Sequence, residues 1–318
     1  MWNGNNNYGG YPSYYPAYTA PVYQQPSPQA VQQPAVNTNK IYATSIDDVR
    51  SRQLPANSDF IFLDNDKPLI YRKTTDATGK TVLIDSIHSG NIELVKMLLT
   101  KGASPQIQEM YGRNAYHEAA ESGNIELISL IRTAGGNPLS RDTHGRTPFS
   151  LVLNKSDETI KAVLGNDINL SDSDGNTPIH IAVQNKVSSD KIFMLVSMNY
   201  PLNRRNSLGL TPLTLAVKNN QNDLAKTLIE CGADPFVTDN SGECAVSFAI
   251  SDNAEVLNYI VQTTGNKKDM TGEGILHYAA RTGDLATIKK LLSMGLDRTM
   301  KNISGETPYD IAIRWQRD

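Results

Sequence analysis

Between Leu208 and Asn240 the apolar residues fall into two short stripes at helical spacing. Leu213, Leu215 and Ala216 mark the first, and Leu224, Ala225, Leu228 and Ile229, at i, i+1, i+4 and i+5, mark the second. Thr211-Pro212 opens the first stripe: the Thr oxygen can accept a first-turn N–H, and Pro lacks the donor that a first turn would orphan. Asn219-Asn220 separates the stripes, and Gly232 stands where helices commonly end in the left-handed region. The pattern predicts one helix from Thr211-Pro212, a second from about Asp223 to Glu230, and an extended link to a turn at Asp239-Asn240-Ser241-Gly242.

This unit recurs. Ser89-Gly-Asn-Ile-Glu-Leu94 returns as Ser122-Gly-Asn-Ile-Glu-Leu127, 33 residues on. Gly102-Ala-Ser-Pro105, Gly135-Gly-Asn-Pro138 and Gly232-Ala-Asp-Pro235 form a second series. Gly79, Gly112, Gly145, Gly175, Gly209, Gly242, Gly272 and Gly305 open successive units, at offsets of 33, 33, 30, 34, 33, 30 and 33. A period near 33 means stacked supersecondary units rather than one central core. Each helix pair carries apolar faces on both flanks, so its neighbours must cover them.

Thr147-Pro148, Thr177-Pro178 and Thr307-Pro308 repeat the helix-start device. The motifs Gly175-Asn-Thr-Pro-Ile-His-Ile-Ala182, Gly209-Leu-Thr-Pro-Leu-Thr-Leu-Ala216 and Leu276-His-Tyr-Ala-Ala280, with Gly232-Ala-Asp234, resemble the ankyrin repeat over residues 77–318. The resemblance implies an all-α repeat solenoid: an L-shaped stack of helix pairs whose turns project as fingers beside a concave face. Two units are three residues short, which predicts shortened second helices or turns there. Val82, Ala115, Ala245 and Ile275 replace the Pro, predicting less firmly capped helices. The last unit supplies one helix and reads as a polar C-terminal cap, with Arg314, Gln316, Arg317 and Asp318.

Ahead of the repeats the pattern changes. Phe60–Asp64 and Leu69–Thr74 are strand-like runs around the polar Asn65-Asp66-Lys67-Pro68, which predicts a β-hairpin. Leu54-Pro-Ala-Asn57, the Phe60–Asp64 run and Tyr71–Gly79 also resemble a short module of phage and prophage proteins. Residues 1–39 carry no charge and hold six of the 14 tyrosines and six of the 16 prolines. Without Leu, Ile or Phe they cannot bury enough apolar surface to offset the entropy of ordering, so a disordered tail is expected. The expected organisation is a tail over 1–40, a β-hairpin module over 41–78, and an ankyrin domain of about seven repeats plus a cap over 79–318.

Composition removes several function classes. With Lys plus Arg at 30 against Asp plus Glu at 33, the net charge of −3 gives no general pull toward polyanions. No cation accompanies the tyrosines before Lys40, so nucleic-acid binding is disfavoured. Cys231 and Cys244 allow no disulfide framework and no zinc ribbon. No apolar run approaches the ~18 residues of a membrane span, and no signal-like h-region is found, which predicts a cytoplasmic protein.

Catalytic motifs fail in the same way. His117, His180 and His277 recur at one phase of the repeat, as structural histidines do, and His117-Glu118 lacks the second His of a zincin helix. Asp172-Ser-Asp174-Gly175 has Leu170 and Ile181 where a calcium loop needs acids. Gly265-Asn-Lys-Lys268 has no preceding Gly at P-loop spacing, and no GxSxG elbow occurs. The reading is a non-enzymatic scaffold that needs no cofactor, metal or small-molecule substrate and binds a protein partner. The predicted contact residues lie on the finger tips: Met110, Tyr111, Arg141, His144, Arg146, Arg204, Arg205, Leu208 and Met270. The alternative is an assembly component, phage- or prophage-type, in which tail and hairpin carry the function and the repeats act as adaptor.

Overall fold

A computed structural model describes residues 41–43, 60–64, 67–69 and 80–315. The disordered tail expected over 1–40 lies outside the described residues. β1 (Ile41–Ala43) pairs in parallel with β2 (Phe60–Asp64), and β2 pairs antiparallel with β3 (Lys67–Leu69), Leu63 lying opposite Pro68. Most of the hairpin module expected over 41–78 falls outside the described residues, including 70–74 of its second strand.

From Lys80 the chain is helical and strictly alternating. Inner helices are α1 (Lys80–His88), α3 (Ala115–Ser122), α5 (Pro148–Leu151), α7 (Pro178–Gln184), α9 (Pro212–Lys218), α11 (Ala245–Asp252), α13 (Ile275–Thr282) and α15 (Pro308–Arg314). Outer helices are α2 (Ile92–Thr100), α4 (Ile125–Thr133), α6 (Asp157–Leu164), α8 (Ser189–Ser197), α10 (Asn222–Glu230), α12 (Ala254–Thr264) and α14 (Leu285–Ser293). Each inner helix from α1 to α13 packs on the next inner helix and on its own outer partner. The outer row also stacks, except that α6 to α8 and α12 to α14 are its loosest neighbours.

The buried apolar residues form one continuous ribbon between the helix rows. Leu213, Ala216, Ala225 and Leu228 are fully buried, as the two-stripe pattern requires. Leu215 of the first stripe is only partly buried and packs against the ribbon from its edge. Thr147, Thr211 and Thr307 accept first-turn N–H bonds at 3.0, 3.1 and 3.3 Å. Two units without Pro use other side chains: Asn114 Oδ1 accepts from Tyr116 and His117, and Ser247 Oγ accepts from Cys244 N. The expectation of weak capping therefore fails at α3, where Asn114 caps the first turn, and holds at α11, where Cys244 accepts no first-turn N–H.

The short repeats differ in their outer helices. α6, with 8 residues, is one residue shorter than the 9-residue α2, α4, α8, α10 and α14, as expected, whereas the outer helix of the other does not shrink. α12, with 11 residues, is longer than every other outer helix. Ser156 caps α6 and Asn253 caps α12, and Gly165 (φ 66°, ψ −145°) and Gly265 (φ 54°, ψ −123°) end both helices in one geometry open to glycine. α15 is not the polar cap expected. Its Tyr309 and Ile313, with Trp315 just beyond, are exposed apolar side chains.

Candidate partner-binding edge

Six fingers are each built around one Asp or Asn, while the finger of Tyr111 has Glu109 in that place. Asp142 Oδ1 accepts from the backbone N–H groups of His144 and Arg146, both at 2.9 Å, while Gly145 N donates to the Asp142 carbonyl. Asp172, Asn206, Asp239, Asp269 and Asn302 repeat these two side-chain bonds in their own turns. The Asp172–Gly175 segment is thus an Asx turn in a finger. Burial opposes ionisation at Asp142, but the bonds from Arg146 and the His144 backbone outweigh it and hold the carboxyl below its usual range.

Fingers are then tied to their neighbours. Thr143 N donates to Tyr111 O at 2.8 Å, Ser207 N to Asp174 O at 2.9 Å, and Ile303 N to Thr271 O at 2.9 Å. Gly209 shows why no side chain fits there: its φ is +80°, and a Cβ would lie 2.5 Å from Asn240 N.

The predicted contact residues divide by what they already touch. Arg141 binds Asp172 at 2.5 Å and Asp174 at 2.6 Å in the next finger. Arg146 binds Asp142 within its own turn at 2.8 Å. Arg204 donates to Asn169 O, and Arg205 donates to Gly209 O and to Asn240 Oδ1 at 2.8 Å. These arginines brace the fingers while keeping part of each side chain in solvent. Met110, Tyr111 and Gly112 form a single 3-10 turn with Tyr111 at φ 64°, and the Tyr111 ring stands 6.1 Å from that of His144. Tyr111, Leu208 and Met270 are 60%, 68% and 100% exposed and have little to hold them back from a partner.

Arg141, His144 and Arg146 come together with Asp172, Gln184 and Asn185 around one shallow cleft of about 160 Å³. Leu208 and Met270 stand on separate fingers. Sequence reasoning missed Ile303, 78% exposed two residues before Gly305, although Met270 holds the same place before Gly272. Charges pair at three finger bases: Arg113 with Glu118 and Glu121, Arg281 with Glu273, Arg314 with Glu306. Between them Lys218 lies 4.3 Å over the Phe248 ring.

The repeated histidines are fully buried and structural. His180 Nδ1 accepts from Thr177 N at 3.1 Å, so the Thr177 hydroxyl must donate to it as well, at 2.9 Å. Burial pushes the His117 and His180 imidazoles below their usual range. Burial also pushes the Cys244 thiol up, away from reactivity. Among the described residues no cluster of His, Cys, Asp or Glu could hold a metal ion, and no helix is long and apolar enough to cross a membrane.

Alternating helix pairs with fingers tied head to tail define a repeat scaffold whose turns and inner helices are open to a partner. The chain belongs to the ankyrin-repeat family: the family model for ankyrin repeats in three copies matches residues 61–142, 117–205, 149–239 and 188–271. That match begins inside the segment set apart as a phage-type module, and the resemblance to such a module is not supported. Among relatives, the B-cell lymphoma 3 protein homolog of Mus musculus is 31% identical over 156 residues, 45% of this chain and 34% of that protein. The tyrosine-protein kinase HTK16 of Hydra vulgaris is 26% identical over 148 residues, 44% of this chain and 20% of the kinase. The chain therefore matches only about a third or less of these relatives' own length. An ankyrin repeat domain of Acinetobacter baumannii, solved by crystallography, is 20% identical with a TM-score of 0.44, covering 57% of this chain and 96% of that one.

Proposed function

We propose that this chain is a non-catalytic scaffold that binds another protein along its finger tips and concave face. The observation that carries this reading is the row of large apolar side chains, Tyr111, Leu208 and Met270, standing exposed on finger turns. Such residues gain most from being covered, and Tyr, Met and Arg are enriched where proteins meet. They act as anchors, while Arg141, Arg146, Arg204 and Arg205, held by their neighbours, orient polar groups of the partner at little ordering cost. Met110 and His144 complete the edge beside Tyr111. The repeat family itself supports a protein as the partner class.

The test is crosslinking mass spectrometry in native lysate with the wild-type chain and a variant carrying Leu208→Ser and Met270→Ser. Crosslinks from the finger edge to one partner should be lost in the variant while its melting temperature stays put. An unchanged set of crosslinks removes the edge from the reading.

A further inference from the structure

Two places in the repeat meet side chain to side chain: the residue just before the helix start, and the residue eight further on, in the inner helix. Arg113 pairs with Glu121 in this way, Glu273 with Arg281, and Glu306 with Arg314 at 3.1 Å. The signs are reversed between the first of these pairs and the other two, so what recurs is the pair rather than either residue. At α13 the Arg281 guanidinium also lies 5.0 Å over the Tyr278 ring. Glu273, Tyr278 and Arg281 thus share one surface, and all three line one open cleft of about 360 Å³.

At α9 and α11 the pair is split. Lys218 has Leu210 in the facing place, and Glu243 has Ser251. Both charges are exposed, and neither makes an ion pair among the described residues. From α3 to α15 every other charge at these two places is paired, Arg146 through Asp142 in its own finger. Lys218 lies instead over the Phe248 ring of the next inner helix. Phe248 and Leu215 hold the place of Tyr278 in their own helices, and both are partly buried. Two adjacent units therefore leave open a positive charge, an apolar floor and a negative charge.

We propose that this surface takes an extended segment of the partner protein that presents an acidic, an apolar and a basic side chain on one face. The proposal rests on the scaffold reading above and names what the scaffold selects. The acid meets Lys218, the apolar side chain lies against Leu215 and Phe248, and the base meets Glu243, completing both split pairs. Eight residues along a helix cover about 12 Å and neighbouring helices lie about 8–10 Å apart, so the two charges stand about 15 Å from each other. Extended chain carries i, i+2 and i+4 on one face over about 13 Å, and side-chain reach covers the rest. The pattern is acid-x-apolar-x-base, read in one chain direction. A uniformly acidic or uniformly basic segment is repelled at one end.

Biolayer interferometry tests this with synthetic peptides on the sensor and the full chain in solution. On one Gly/Ser background the peptides carry Glu-x-Leu-x-Arg, its reverse Arg-x-Leu-x-Glu, both like-charged versions, and the two mixed versions with Ser in place of Leu. One mixed direction should bind about fivefold or more above every other peptide. Lys218→Glu should move binding to Arg-x-Leu-x-Arg, and Glu243→Lys should move it to Glu-x-Leu-x-Glu. The chain carrying both changes should prefer the opposite direction to wild type. Leu208→Ser should keep the wild-type preference, which separates this surface from the finger edge. Circular dichroism establishes that each variant is folded. Absence of binding, equal binding of all peptides, or a preference that the charge changes do not move overturns the proposal, and the finger edge keeps its own crosslinking test. A preference lost with Leu208→Ser overturns it as well, since the peptide then sits on the fingers.

Discussion

His180 reaches across a repeat boundary to Leu210: its Nε2–H donates to the Leu210 carbonyl at 2.9 Å while its Nδ1 accepts the Thr177 N–H that opens its own helix. One neutral ring thus caps one unit and fastens the next. His277 bonds Gly274 N and Glu306 O in the same way.

Protonation would put a donor where Nδ1 must accept. The native His117 and His180 are depressed below their ordinary range, so the unfolded chain takes up their protons first, near pH 6.5. Their contribution to stability is complete above that pH and is lost as pH falls toward the native values. Thermal unfolding followed by circular dichroism should show the midpoint dropping between pH 7 and 5, with a shallower slope in His180→Gln. Parallel slopes would reject this role.

Arg141→Ala removes the charged partner of Asp172, whose side chain is fully buried, leaving its Oδ2 with only the Asn176 amide at 3.2 Å. The expected loss is about 1–3 kcal/mol. In urea titrations the loss should shrink when Asp172→Asn is already present, since the buried charge is then gone. A loss of the same size in both backgrounds would mean the ion pair does not couple the fingers.

Leu228 is completely buried in α10, and Leu228→Ala should cost about 2–5 kcal/mol through the lost transfer energy and the cavity left behind. An unaltered midpoint in denaturant would contradict its place in the ribbon.

Two backbone positions should respond in opposite directions. Gly209→Ala forces a side chain into left-handed backbone and against Asn240 N, and should destabilise by about 2 kcal/mol or more. Lys186 already sits at φ 52° where other repeats have Gly90, Gly123 and Gly283, so Lys186→Gly should stabilise by up to about 1 kcal/mol. Differential scanning calorimetry of the two variants measures both signs.

What could be read in the sequence was what each unit does for itself. Gly112, Gly145, Gly175, Gly209, Gly242, Gly272 and Gly305 all have positive φ, and the Thr-Pro starts and the stripes at Leu213 and Leu224 fall where periodicity put them. What could not be read is what one unit does for the next. The Arg141–Asp172 pair and the His180–Leu210 bond join residues 31 and 30 apart, and which partner an exposed-looking arginine finds depends on finger spacing. Likewise Arg314 and its polar followers masked Tyr309 and Ile313, because exposure there depends on what lies alongside the helix.

The paired loosening of the outer row, after α6 and after α12, has a mechanical consequence. After α6 the Lys191–Asp157 ion pair at 2.6 Å still ties the outer row, so flexing should be cheapest after α12. Drawn out lengthwise, the solenoid should yield at that joint before its neighbours unravel, letting the finger edge adjust its curvature to what it grips.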